Sequence, residues 1–164
     1  CNIIMKEHNL TLLYWKINMK LYNILSAIAI CVCGQSAFAQ TCYVGDSIAH
    51  GYKQHNKGYG VTKVGANQRT VMNYVSLMKN ECDKIYLSSG ISNNPTDTQI
   101  VDQQLKVLFD AKKEVILFGS SKEFPKYGNQ LNNNLSSLCS KYSNCTFRGG
   151  FTPSKDKVHP VNYK

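Results

Sequence analysis

The sequence predicts an α/β protein, a three-layer α/β/α sandwich around a parallel, flavodoxin-like five-stranded sheet. Two observations predict it. From Thr41 onward, short apolar runs alternate with longer segments whose apolar residues recur at helical spacing. The residues with chemistry fall after those runs rather than within them: Ser47 after the first, Gly90–Asn94 after the third, His159 after the last. Helical crossovers bring all such ends of a parallel sheet to one edge, where ligands bind.

Thr41–Asp46 is apolar enough for a central strand, and Ser47–Asn56 follows as a short helix or turn broken by Gly58-Tyr59-Gly60. Val61–Ala66 is expected as a short second strand. Between Thr70 and Asn80, Val71, Tyr74, Val75 and Met78 stand at helical spacing. Lys84–Ser89 reads as the third strand and Gly90–Thr96 as a polar loop. The longest helix is expected over Asp97–Lys113, capped by Asp97, with Ile100, Val101, Leu105, Leu108 and Phe109 on its apolar face. Glu114–Gly119 carries the run Val-Ile-Leu-Phe of a fourth strand. Ser120–Gly128 is a loop, and Leu131, Leu135 and Leu138 mark the next helix. Cys145–Arg148 is a fifth, short strand, and Gly149–Val158 the loop that delivers His159.

The 164 residues suggest one sizeable core. Met19-Lys20, the apolar run from Leu21 to Cys33 and Ala37-Phe38-Ala39 have the layout of a secretory signal peptide, assigned to residues 19–39. The run is shorter than the roughly 20 residues a membrane span needs, so no stable membrane insertion is expected after cleavage. Residues 1–18 are expected to be an upstream or non-native segment, and residues 41–164 the folded domain, secreted or periplasmic.

Beyond the signal, Cys42, Cys82, Cys139 and Cys145 form an even set suited to an oxidising compartment. Three pairings are open. Cys42–Cys82 is favoured because the two stand at strands expected to be neighbours, and Cys139–Cys145 because it closes a short helix-to-strand connection. No C-x-x-C pair occurs, so no metal site is expected. From Thr41 onward sixteen Lys or Arg face nine Asp or Glu, a net of +7. With two arginines among them and no basic cluster, this reads as a solvated surface and not as a nucleic-acid interface.

Two stretches carry the chemistry. Val44-Gly45-Asp46-Ser47 places a serine where a strand breaks into a helix, and Asp156-Lys157-Val158-His159 sets a carboxylate and an imidazole three residues apart in a late loop. Nucleophilic acyl transfer needs these three side chains: a hydroxyl, a base to take its proton, and an acid to fix the tautomer of the base. A serine after a glycine turn also serves as a helix cap. His50 and His55 compete with His159 as bases, but the sequence places no carboxylate to orient His50.

Gly45-Asp46-Ser47 and Asp156-x-x-His159 together resemble the first and last blocks of the SGNH, or GDSL-type, hydrolases, a superfamily of esterases and acyl hydrolases. The resemblance runs from Thr41 to the end of the chain. It implies Ser47 as nucleophile, His159 as base and Asp156 as its orienting acid. It also implies an oxyanion hole of three donors: the Ser47 N–H, a glycine N–H from a second block and an asparagine amide from a third. Val64-Gly65-Ala66-Asn67-Gln68 resembles the second block in two frames, one using Gly65 and the other placing Gln68 where glycine is usual. The third block is usually Gly-x-Asn-Asp, against Gly90-Ile91-Ser92-Asn93-Asn94 here. Strict alignment puts Ser92 at the asparagine position, and a shift of one residue makes Asn93 the donor. Asn93 is preferred because an amide reaches further than a hydroxyl.

The function expected is ester or acyl hydrolysis on small or surface-accessible substrates, such as an acetylated carbohydrate, without metal or cofactor. The rival reading is a non-catalytic module of the same fold that binds glycans or envelope material.

Overall fold

The computed structural model describes residues 39–89, 98–124 and 127–163. The expected signal segment and residues 1–18 lie outside this range, apart from Ala39. Four strands, β1 (Thr41–Gly45), β2 (Lys84–Ser88), β3 (Glu114–Phe118) and β4 (Cys145–Arg148), pair in parallel in the order β1-β2-β3-β4. Four helices, α1 (Ser47–His55), α2 (Gln68–Met78), α3 (Gln99–Asp110) and α4 (Gly128–Cys139), connect or follow them. The chain is therefore the α/β fold with a parallel sheet that the alternation predicts, with four strands among the described residues instead of five.

The missing strand is the one expected over Val61–Ala66. Chain there lies along the outer edge of β1 as isolated bridges, Cys42 to Tyr59 and Gly45 to Thr62. The N–H groups of Tyr43 and Gly45 donate to the carbonyls of Tyr59 and Val61, and Lys63 N–H donates to the Gly45 carbonyl. A turn closed by Ala66 N–H on the Lys63 carbonyl then pulls the chain away from the sheet. The turn begins before a ladder can extend, so the expected edge is occupied by bridged chain and not by a strand.

The register separates the two faces of the sheet. Tyr43 pairs with Tyr86, and Tyr86 with Ile116. On that face Tyr43 stacks on Tyr86 with ring centroids 5.0 Å apart, Tyr86 on Phe118 at 5.8 Å, and Phe118 on Tyr52 of α1 at 4.4 Å. Cys42, Val44, Ile85, Leu87, Val115 and Leu117 point the other way and are buried. Cys42 is bonded there to Cys82, which follows α2, and Cys145 to Cys139 at the end of α4. These are the two pairings favoured from the sequence. Tyr142 joins the layer by donating from its hydroxyl to Asp102 of α3 at 2.8 Å. The layers are thus α1 on one face and α2, α3 and α4 on the other.

The helices bury the faces their spacing predicts, with small differences at the ends. In α2, Val71, Val75 and Met78 are buried, and the helix starts two residues earlier than expected because Asn67 caps it, accepting from Thr70 N–H at 2.9 Å. In α3, Val101, Leu105 and Leu108 are buried, whereas Phe109 is 43% exposed and lies against Tyr142 instead of in the core. Asp97, the expected cap of this helix, lies outside the described residues. Gly45 ends β1 at φ +140°, and a Cβ there would lie 1.9 Å from the Ser88 carbonyl oxygen. Only glycine lets the chain turn from β1 into α1 at this closeness.

Candidate active site

Ser47 is the first residue of α1, half-buried at the C-terminal edge of the sheet. Its neighbour Asp46 is the helix cap, its Oδ1 accepting from Ile48 N–H at 3.0 Å. The cap role that a serine could have filled thus belongs to Asp46, and Ser47 is carried as the first helical residue. At this position the backbone N–H groups of the first turn point out of the helix, a favourable setting for an anion.

Asp156 and His159 are brought together. Asp156 Oδ2 lies 2.6 Å from His159 Nδ1, while its Oδ1 accepts from the backbone N–H groups of Val158 and His159, each at 2.9 Å. The Ser154 hydroxyl donates to the same Oδ1 at 2.7 Å. These bonds, that from the imidazole first, hold the Asp156 carboxyl well below the usual carboxylate range. An ionised carboxylate only accepts, so Nδ1 carries the proton of a neutral His159 and Nε2 is left as the acceptor.

The loop itself is closed at its neck by a Pro153–Pro160 bridge, a 2.7 Å bond from Ser154 N–H to the His159 carbonyl and a 3.2 Å bond from Val161 N–H to the Thr152 carbonyl. It is tied to the loop after β3 by the Ser121 hydroxyl, which donates to the Lys157 carbonyl at 2.6 Å. Lys157 stands at φ +61°, a left-handed conformation that this bond and the Lys157 N–H to Ser154 carbonyl bond help to hold. Ser121 and Ser154 have no signature in the sequence. Their role follows only from the fold, which sets the ends of β3 and β4 side by side.

The loop also meets α1. The Tyr163 ring stands edge-on to Tyr52, with centroids 5.0 Å apart, and covers the α-carbon of Gly51. Ser47 and Gly51 are one turn apart on the same helix face. The fold therefore sets the segment that follows His159 against the face of α1 that carries Ser47.

The competing histidines have other surroundings. His50 Nδ1 lies 3.1 Å from the Thr62 hydroxyl, not against a carboxylate, and His55 is exposed in the last turn of α1. Of the expected oxyanion donors, Gly65 is the third residue of the turn Lys63–Ala66, at φ +74°. A Cβ there would meet open space, so glycine is required by the conformation and not by crowding. Gln68, the other frame, is the first residue of α2, and its carbonyl accepts from the buried Gln104 amide at 2.9 Å. Ser92 and Asn93 lie outside the described residues.

The N-terminal halves of α2 and α3 flank a cleft of about 530 Å³ lined by Arg69, Met72, Asn73, Gln99, Ile100 and Gln103. Its lining combines three carboxamides and one guanidinium with two apolar side chains, and no carboxylate is among them.

No family model matches the sequence, and no curated protein is similar to it. Among solved structures, the fold is similar to a candidate acylhydrolase from Bacteroides fragilis, with a TM-score of 0.59 and 12% identity over 77% of this chain and 80% of that one. It is also similar to a GDSL-like lipase from Bacteroides thetaiotaomicron, with a TM-score of 0.55 and 15% identity over 76% of this chain and 81% of that one. At such identities the likeness is one of fold.

Proposed function

We propose that the protein is an exported serine hydrolase of the SGNH type that cleaves small or surface-accessible esters. The observation that carries this reading is the 2.6 Å Asp156–His159 pair, on a loop packed against the helix that Ser47 begins. The fold shared with a GDSL-like lipase supports it.

In this mechanism His159 Nε2 takes the Ser47 proton as Oγ attacks the ester carbonyl carbon, and Asp156 stabilises the imidazolium that forms. The tetrahedral oxyanion is met by the N–H groups of Ser47 and Gly65 and by the Asn93 amide. Collapse expels the alcohol, which takes the proton from His159. Water then attacks the acyl-serine by the same route and releases the acid. The carboxamides and guanidinium of the cleft between α2 and α3 suit hydroxyl and carbonyl groups, in keeping with a hydroxyl-rich substrate such as an acetylated carbohydrate.

Export is supported by the disulfides Cys42–Cys82 and Cys139–Cys145. Among the described residues no helix is long and apolar enough to cross a membrane.

The test is labelling with a fluorophosphonate probe alongside hydrolysis of p-nitrophenyl acetate. Wild-type protein should label and turn over, and Ser47→Ala should do neither. Hydrolysis that survives Ser47→Ala would assign the activity elsewhere. A wild type that neither labels nor hydrolyses, yet retains acetylated polysaccharide, would favour the non-catalytic binding module.

A further inference from the structure

Tyr163 lies four residues beyond His159 and belongs to neither sequence block that suggests the chemistry. We propose that Tyr163 is a positioning residue: its ring, seated in the notch left by Gly51 on α1, holds the Asp156–His159 loop over the helix face that begins at Ser47. This rests on the hydrolase reading above.

The fit is specific. A Cβ built on Gly51 would lie 2.2 Å from both Cε1 and Cζ of the Tyr163 ring and 2.6 Å from its hydroxyl oxygen. Gly51 is in the middle of a nine-residue helix, where glycine is disfavoured relative to alanine. Its φ is not in the left-handed region, so the backbone does not require it; the ring packed against it does. The second wall of the notch is Tyr52, which meets Tyr163 edge-on and is itself stacked on Phe118 at the end of β3. The Tyr163 ring is therefore fixed to both α1 and the sheet.

Its surroundings connect the two halves of the site. Burial raises the Tyr163 hydroxyl above its ordinary value, and the Asp156 carboxylate adds to this, with smaller contributions from Tyr52 and Asp46. The phenol thus feels both the acid of the Asp156–His159 pair and the residue immediately before Ser47. The loop has its own closure at Pro153–Pro160 and its tether to Ser121, but those bonds fix it to itself and to the chain after β3. Among the described contacts, the Tyr163 ring is what ties it to α1. Only three residues separate His159 from this anchor, so displacing the ring displaces the imidazole relative to Ser47. Misplacement by about 1 Å can lower turnover by about 10²-fold.

The experiment uses the full chain with Tyr163→Phe, Tyr163→Ala, Gly51→Ala and the Gly51→Ala/Tyr163→Ala double variant. Two readouts are taken: hydrogen exchange at the Val158 and His159 amides, both bonded to Asp156, and kcat and KM on p-nitrophenyl acetate. Tyr163→Ala and Gly51→Ala should each speed exchange roughly tenfold and lower kcat by about 10- to 100-fold, with KM within about twofold of wild type. Tyr163→Phe, which keeps the ring, should restore both. The double variant should be no worse than Tyr163→Ala, because both changes delete one contact. If Tyr163→Ala does not fold, Tyr163→Leu is read by the same criteria.

Wild-type exchange and kcat in the Ala or Leu variant overturn the proposal, as do fully additive effects in the double variant. A wild type without esterase activity defeats the hydrolase reading but leaves the exchange measurement to decide whether Tyr163 holds the loop.

Discussion

Ser88, at the end of β2, donates a 2.6 Å hydrogen bond to Oδ1 of Asp46, the residue before Ser47, and both side chains are almost fully buried. Ser88 holds the same residue a second way, its carbonyl accepting from Asp46 N–H at 3.1 Å. Because Asp46 Oδ1 also caps α1 through Ile48 N–H, a single carboxylate oxygen links the sheet edge to the helix start. The backbone of Ser47 is therefore set by its neighbour and by β2.

Ser88→Ala should destabilise the protein by about 1–3 kcal/mol, the usual cost of removing one partner from a buried polar group. A urea denaturation midpoint unchanged from wild type would show that this bond does not hold the turn.

Asp156→Asn should lower kcat by about 10²–10⁴ with little change in KM, because an amide accepts and donates differently from the carboxylate that fixes the tautomer of His159. Steady-state kinetics on p-nitrophenyl acetate decide it. An effect confined to KM would make Asp156 a substrate contact instead.

The pH dependence has a defined sign. The Asp156 carboxyl is held below its ordinary value in the folded protein, so its contribution to stability is complete above the unfolded value of about 3.9 and is lost as the pH falls below it. Order in the Asp156–His159 loop should therefore not change through titration of Asp156 between pH 8 and 5. Carbon-13 resonances of the Asp156 carboxyl should show no midpoint near pH 4. A midpoint there would mean that the bonds from His159, Ser154 and Val158 do not favour the ionised form.

The two frames of the third block make opposite forecasts. If the Asn93 amide meets the oxyanion, Asn93→Ala should lower kcat by roughly 10²–10³ and leave KM nearly unchanged, and Ser92→Ala should be almost silent. The reverse pattern would assign the donor to Ser92.

The disulfides should differ in weight. Cys42–Cys82 spans 40 residues and Cys139–Cys145 spans 6, so loop-closure entropy predicts about 4 and about 2 kcal/mol of stabilisation respectively. Replacing each pair with alanines and comparing the unfolding free energies checks the order. A larger loss from the Cys139–Cys145 pair would contradict it.

The layered fold was legible because alternation is a local property. Val115-Ile116-Leu117-Phe118 can bury itself only as an inner strand, and the spacing of Val71, Val75 and Met78 only as one face of a helix. The Cys42–Cys82 pairing followed from the expected neighbouring strands, and Cys139–Cys145 from the short helix-to-strand connection it closes. Phe109 misled for the same reason: its spacing matches the core face of α3, but Tyr142, from a turn 33 residues later, decides where it lies. The second strand also failed locally, because pairing that stops at the Lys63–Ala66 turn leaves no ladder, whatever the propensity of Val61.

For the candidate site, the sequence by itself determined which residues carry reactive groups, and the Asp156–His159 spacing permitted those two to meet across one turn of chain, as they do at 2.6 Å. Only the tertiary structure decided what holds them. Ser88 on Asp46, Ser121 on Lys157 and Tyr163 on Gly51 are contacts across 42, 36 and 112 residues of sequence. No periodicity carries them, because a side chain that supports a site needs only to be the right shape where two distant segments cross. That crossing exists only once the hydrophobic faces of the sheet have been covered.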